Sequence, residues 1–209
     1  LAAAVEGQLV CENEAEPPKP LSVYVASKRE AEVVFREQVA RGLDGLIVNP
    51  GFMIGPWDWR PSSGRMLITV ARSFTPFAPS GGCSVVDVRD VACGILSACF
   101  HGRCGENYIL AGENVTYFDL WRRMAEISGG RPPWYLIPPR INWLAGKIGD
   151  LKTAITGKES IVNSAATQMG ALKHWYCSQK AIDQLGYRIG PVDDALADAW
   201  DWFRAYGYV

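Results

Sequence analysis

The chain has 209 residues, 48% of them hydrophobic, with 21 Lys+Arg against 22 Asp+Glu and a net charge of −1. That length allows one sizeable core or two small ones. The even charge balance gives no footprint for nucleic acid or an anionic membrane, and no apolar run approaches the length of a bilayer span, so neither partner is expected. The cysteines (Cys11, Cys83, Cys93, Cys99, Cys104, Cys177) are scattered, without a CxxC pair. Cys99, His101 and Cys104 come nearest to a ligand spacing but lack a fourth ligand, so no metal site is expected. Scattered thiols of this kind suit a reducing cytoplasm.

The chain opens on Leu1-Ala2-Ala3-Ala4 rather than on Met, which reads as a fragment or a partly recorded chain. Glu12 to Pro20 is polar and Pro-rich, a surface loop. Ser22 is placed to cap a helix that carries Tyr24 and runs to Arg41, and Gly42 is placed to end it. Tyr24 and Lys28 fall one helical turn apart on a face continued by Ala31, Val34, Phe35, Gln38 and Val39, expected to point inward. A cation beside a phenol favours the phenolate and lowers its pKa, which lets a Tyr exchange protons near neutral pH. A boundary Tyr followed by a solvated Lys has the same spacing, and YxxxK alone is short and common.

Gly45 to Asn49 is short and apolar between turn residues, the pattern of a buried parallel strand, and Pro50 to Pro56 reads as a loop. Ser62 to Phe74 reads as a helix capped by Ser62 or Ser63, and Thr75 to Gly82 as another loop. A strand over Cys83–Val86 leads to a helix from Val88 to about Phe100, capped by Asp87; Asn107 to Ala111 is a further strand. Thr116 caps an amphipathic helix from Tyr117 to Ser128, with Phe118, Leu120, Trp121, Met124 and Ile127 inward and Gly129-Gly130 as its stop. A linker begins at Pro132-Pro133. Helices over Ile141–Ile155 and Ser160–Met169 follow, around Gly157. Ser178 caps a short helix ending at Gly186, and Pro191 starts a last helix with Ala195, Leu196, Ala199, Trp202 and Phe203 inward. Trp121, Trp143, Trp200 and Trp202 fall at helical spacings and read as core. Two or three strands are too few for an open sheet of their own, so a partner segment is expected upstream.

Three stretches carry a resemblance: YVASK with Arg29-Glu30-Ala31-Glu32, a strand ending Val48-Asn49-Pro50-Gly51-Phe52-Met53-Ile54-Gly55-Pro56, and Val86-Asp87-Val88-Arg89-Asp90-Val91-Ala92. In that order and spacing they resemble an extended short-chain dehydrogenase/reductase of the NAD-dependent epimerase/dehydratase group, near the dihydroflavonol reductase-like proteins and hopanoid-associated sugar epimerases. The match continues through Tyr108-Ile109-Leu110-Ala111-Gly112-Glu113-Asn114-Val115-Thr116 to the closing Trp202-Phe203-Arg204-Ala205-Tyr206-Gly207-Tyr208.

The resemblance implies an α/β fold, the C-terminal portion of a doubly wound parallel (Rossmann) sheet plus a smaller, mostly helical substrate lobe. Residues 1–51 and 84–112 would form the second part of the dinucleotide-binding domain, and 52–83 and 113–209 the substrate lobe. It implies NAD or NADP as cofactor, with Tyr24 as catalytic acid/base and Lys28 holding the nicotinamide ribose. Pro50, Gly51, Phe52 and Ile54 would lie beside the nicotinamide. Trp57, Arg65 and Arg89 are candidates for the substrate cleft; Arg89 could equally pair with Asp87, and Asp90 could start a helix or tie a loop. It further implies a homodimer through the Tyr24–Arg41 helix.

Two features of the family pattern are not met. No Gly-rich βα turn is present to receive a pyrophosphate, so the first half of the nucleotide-binding sheet is missing and the chain alone should bind dinucleotide poorly. The family's catalytic Ser or Thr falls just upstream of Leu1 or is replaced by Ala2. The resulting expectation is an NAD(P)-dependent oxidoreductase or epimerase acting on a hydroxyl/carbonyl carbon of a nucleotide-sugar or related alcohol or ketone. The alternatives are a non-catalytic binding protein that keeps the fold, motivated by Ala2, and a ketone reductase resembling dihydroflavonol reductases.

Overall fold

The computed structural model describes residues 9–12, 23–156 and 164–209, without the side chains of residues 24, 139, 151, 152, 154–156, 165 and 166. Leu1–Gly7, the cap expected at Ser22, most of the Glu12–Pro20 loop, Gly157 and the start of the helix expected at Ser160 lie outside the described residues.

Helix α1 (Val23–Ala40) ends as its glycine dictates. Gly42 takes φ 105°, and the backbone N–H groups of Arg41, Gly42 and Leu43 turn back onto the carbonyls of Gln38 and Val39. Of the face expected to point inward, Phe35 and Val39 are half-buried, whereas Ala31, Val34 and Gln38 are exposed. The correction has a simple cause: periodicity marks a face, but only a packed neighbour buries it, and the Phe35 ring is what lies against the Gly45 backbone.

Strand β1 (Ile47–Pro50) is followed by β2 (Phe52–Ile54), α2 (Gly64–Arg72), β3 (Phe77–Ala78) and β4 (Gly82–Asp87). Helix α3 (Val88–His101) leads to β5 (Asn107–Leu110), β6 (Glu113–Thr116) and α4 (Tyr117–Ser128). Then come β7 (Tyr135–Leu136), α5 (Pro139–Thr156), α6 (Ser164–Ala171), β8 (Lys173–His174), α7 (Gln179–Leu185) and α8 (Val192–Ala205). β1 pairs with β5 in parallel; β2 and β8 both pair with β4 in parallel, β6 pairs with β4 antiparallel, and β3 pairs with β7. The stretches expected as loops at Pro50–Pro56, Thr75–Gly82 and after Pro132 thus contain β2, β3 and β7. These strands are too short to show alternation, and their partners are distant in sequence.

The caps divide in the same way. Asp87 accepts from the Arg89 N–H at 2.8 Å and starts α3. The Thr116 hydroxyl accepts from the Asp119 N–H at 3.1 Å and donates to its carboxylate at 2.6 Å, and α4 stops at left-handed Gly129. Neither Ser62 nor Ser63 caps α2. Ser63 is already helical (φ −65°, ψ −39°), and Asp58 Oδ2 instead accepts the N–H groups of Ser62 and Gly64, each at 3.1 Å.

β4 lies between two apolar clusters because successive side chains leave a strand on opposite faces. Val85 packs with Ile54, Leu67, Leu120, Met124, Leu196 and Phe203. Val86 packs with Val91, Tyr108, Leu110, Ala181 and Leu185. The last helix buries Ala195, Leu196, Ala199, Trp202 and Phe203, as its pattern requires. Trp121 and Trp200 are half-buried against the first cluster. Trp143, expected in the core, is 64% exposed, because α5 packs through other residues.

Candidate active site

β1 and β5 run side by side and end level, with Pro50 opposite Leu110. Both chains then pass against β4. The Gly51 N–H donates to the Leu110 carbonyl at 3.0 Å. A Cβ on Gly51 would lie 2.6 Å from the Ser84 carbonyl oxygen and 3.3 Å from Ala111 Cα; one on Gly112 would strike the Val85 carbonyl. Two glycines therefore let the ends of two parallel strands close onto a third. Beside them, the Ser178 hydroxyl accepts the Ala111 N–H at 2.8 Å and donates to the Ala111 carbonyl at 3.0 Å. Ser178 was expected to cap α7, but it makes no cap bond and fastens the end of β5 instead. The carboxyl ends of parallel strands are where α/β sheets place ligands.

Pro50, Gly51 and Phe52 are half-buried along this edge. Ile54 is enclosed in the first cluster, so its side chain faces protein rather than an open site. Tyr24 and Lys28 sit on successive turns at the start of α1, with the rest of that helix between them and β1; the Lys28 side chain is exposed, and that of Tyr24 is not among those described. The candidates expected at the substrate fall in three settings. Trp57 stands at φ 69°, a left-handed conformation that costs a non-glycine residue about 1–2 kcal/mol, and its side chain is 61% exposed. Arg65 is exposed on α2 and donates from Nε to the Pro61 carbonyl at 3.2 Å. Arg89 donates from Nε to both Asp87 oxygens at 3.0 Å and reaches Asp198 on α8 at 2.7 Å. Asp87 above all, with Asp198, holds the Arg89 pKa above the ordinary guanidinium value. Asp90 accepts the Gly190 N–H at 2.8 Å, which is the loop-tying role.

Other titratable groups have structural settings. Burial pushes the Cys83 thiol up to about 12, and burial raises Tyr117, which faces it, so both stay protonated. Among the described residues, no group of three His, Cys, Asp or Glu could hold a metal ion. Two contacts had no signal in the sequence: the Glu12 carboxylate accepts the Ile109 N–H at 2.9 Å, and the Asn49 amide pairs with Asn107 across β1 and β5. Both join segments distant in the chain.

No family model matches the chain. A protein of Synechocystis sp. that carries the name dihydroflavonol 4-reductase is 31% identical over 210 residues, covering 98% of this chain and 61% of that protein. Sterol demethylase protein B of Methylococcus capsulatus is 36% identical over 206 residues, covering 92% of this chain and 60% of its own. A nucleoside-diphosphate-sugar epimerase from Pseudomonas aeruginosa superposes with a TM-score of 0.77 at 28% identity, over 99% of this chain and 62% of that one. The likeness runs across nearly all of this chain in sequence and in fold. In sequence and in fold the chain is similar to part of an extended short-chain dehydrogenase/reductase. It spans about three fifths of the length of the curated relatives it matches. The parallel β1–β5 and β2–β4 pairs match part of a Rossmann-type sheet.

Proposed function

We propose that this chain carries the proton-transfer part of an NAD(P)-dependent oxidoreductase or epimerase acting on a hydroxyl/carbonyl carbon. The observation that carries the reading is the succession of α1, with Tyr24 and Lys28 one turn apart, and β1, which ends in Pro50-Gly51 at the carboxyl edge of a parallel pair. A nicotinamide cofactor would draw on the exposed Lys28 ammonium, one turn from Tyr24, and on the half-buried backbone at the strand ends. Its pyrophosphate has no Gly-rich turn to meet within these 209 residues. When bound, the cofactor supplies or accepts the hydride.

Tyr24 gives or takes the proton at the substrate oxygen, removing charge as it forms. The Lys28 ammonium would hold the ribose hydroxyls and favour the Tyr24 phenolate. Backbone at Pro50 and Gly51 would border the nicotinamide, with Phe52 and Ile54 near it. Gly51 is rigid there because β4 stands directly behind it. We assign residues 1–51 and 84–112 to the cofactor-binding unit and 52–83 and 113–209 to the substrate lobe. The substrate is a nucleotide-sugar or a related alcohol or ketone, with Trp57 and Arg65 on its side of the cleft. Arg89, engaged by two carboxylates, acts as a brace between α3 and α8.

In the complete protein, Tyr24→Phe removes the proton donor without changing the ring, and turnover should fall by about 10²–10⁴-fold. Unchanged turnover sinks the catalytic assignment. The named reductase among the relatives favours a second reading, net ketone reduction, while the epimerase favours the first. Net consumption of NAD(P)H separates them, since an epimerase returns its cofactor oxidised.

A further inference from the structure

Helix α5 is amphipathic in the opposite sense to a core helix. The face packed on α6 is polar and small. Asn142 donates to the Thr167 carbonyl at 3.0 Å, Gly146 lies against Ser164 and Thr167, and Asp150 accepts the Ser164 N–H at 2.9 Å and its hydroxyl at 2.5 Å. The face turned to solvent carries Ile141, Trp143, Leu144 and Ile148, each more than half exposed. An ordinary amphipathic helix does the reverse. β7 and the residue before it, just ahead of α5 in the chain, expose further aromatic side chains. Trp134 is 62% exposed and packs edge-on against Phe74 at 4.8 Å, and exposed Tyr135 lies over Phe77 at 6.3 Å. The Asn142 N–H bonds the Pro138 carbonyl, so α5 follows β7 without a break. Large apolar side chains exposed in such number along one stretch of chain mark a contact site.

Charge says what kind. Arg131, Arg140 and Lys147 are exposed along the same stretch, and Lys152 adds a further basic position. Between residues 131 and 156, Asp150 is the only acidic residue; it is exposed, accepts from Ser164 and lies near Lys147. The net charge of −1 averages over this local excess. Aromatic side chains with exposed apolar neighbours, bordered by Lys and Arg, are the composition of a helix that lies in the headgroup layer of a bilayer. A second copy meeting this face about a two-fold axis would set one cationic patch against another. No helix among the described residues is long and apolar enough to cross a membrane.

We propose that the β7–α5 face docks the protein onto an anionic lipid surface, with α5 in the plane of the interface. The test is co-sedimentation of the complete protein with vesicles of phosphatidylcholine, with and without phosphatidylglycerol, at low and raised salt. Phosphatidylglycerol should strengthen binding by about tenfold or more, and raised salt should remove the gain. The double variant Trp143→Glu/Ile148→Glu changes only exposed positions, so its circular dichroism should match the parent while vesicle binding falls by about tenfold or more. Arg140→Glu/Lys147→Glu should abolish the preference for phosphatidylglycerol. The proposal is overturned if the parent ignores phosphatidylglycerol or if folded variants bind as the parent does. It is equally overturned if the parent is a dimer that Trp143→Glu/Ile148→Glu splits, which would give the face to a second copy.

Discussion

Gly51→Ala tests whether the strand-end junction is built as its geometry implies. The new methyl would sit 2.6 Å from the Ser84 carbonyl oxygen, where ordinary contact begins at 3.4 Å, and 3.3 Å from Ala111 Cα. Neither neighbour is a side chain that can swing away. Ser84 lies within β4, opposite Asn114 of β6, and the next residue, Val85, pairs with Phe52 of β2. Ala111 is fastened on both its N–H and its carbonyl by Ser178. Overpacking in a well-packed site costs about 1–3 kcal/mol, and the absence of a yielding neighbour puts this substitution at the upper end. A loss of about 3 kcal/mol in a chain of this size lowers Tm by about 6–12 °C. Gly186→Ala is the control. Gly186 has φ 65° with open space around its Cβ position, so only left-handed strain applies, about 1 kcal/mol. Urea unfolding of the two variants gives the comparison directly. If Gly51→Ala unfolds at the parent midpoint, or above Gly186→Ala, the junction is looser than described and the argument from close approach is wrong. A variant that keeps its midpoint but loses cofactor affinity would show that Gly51 serves the ligand alone.

Ser178→Ala leaves the buried Ala111 N–H and carbonyl without their hydroxyl partner and should cost about 2 kcal/mol in denaturant unfolding; a loss below about 0.5 kcal/mol would show that the hydroxyl does not fasten the end of β5. His174 donates from Nε2 to the Met169 carbonyl, and burial holds its pKa below the ordinary 6.5. Unfolded chains therefore take up the proton first as pH falls, so its contribution is complete above pH 6.5 and declines below it. His174→Gln should flatten the fall in stability from neutral pH to about pH 5, and an unchanged slope would remove His174 as its source.

What could be read along the chain was whatever a few neighbouring residues decide. Asp87 and Thr116 cap helices through bonds two or three residues away, and Gly42, Gly129 and Gly186 end helices by adopting φ values that other residues avoid. The buried stripe of α8 follows from helical period alone. The order of YVASK, the Pro50-Gly51 loop and Val86–Ala92 was sufficient to point to the family, because each is a linear feature. The tertiary structure decided what depends on partners distant in sequence. β2, β3 and β7 exist because a remote strand lies beside each. Ser178 looks like a cap, but Ala111 offers its hydroxyl two backbone bonds at once; Asp58 takes the cap of α2 because Ser63 is already helical. Ile54 belongs to the core rather than to an open edge, and Trp143 points to solvent although its spacing reads as buried. Periodicity fixes which side chains share a face. Which face is covered depends on the surfaces the folded chain brings to it, and those are set by packing and not by the local sequence.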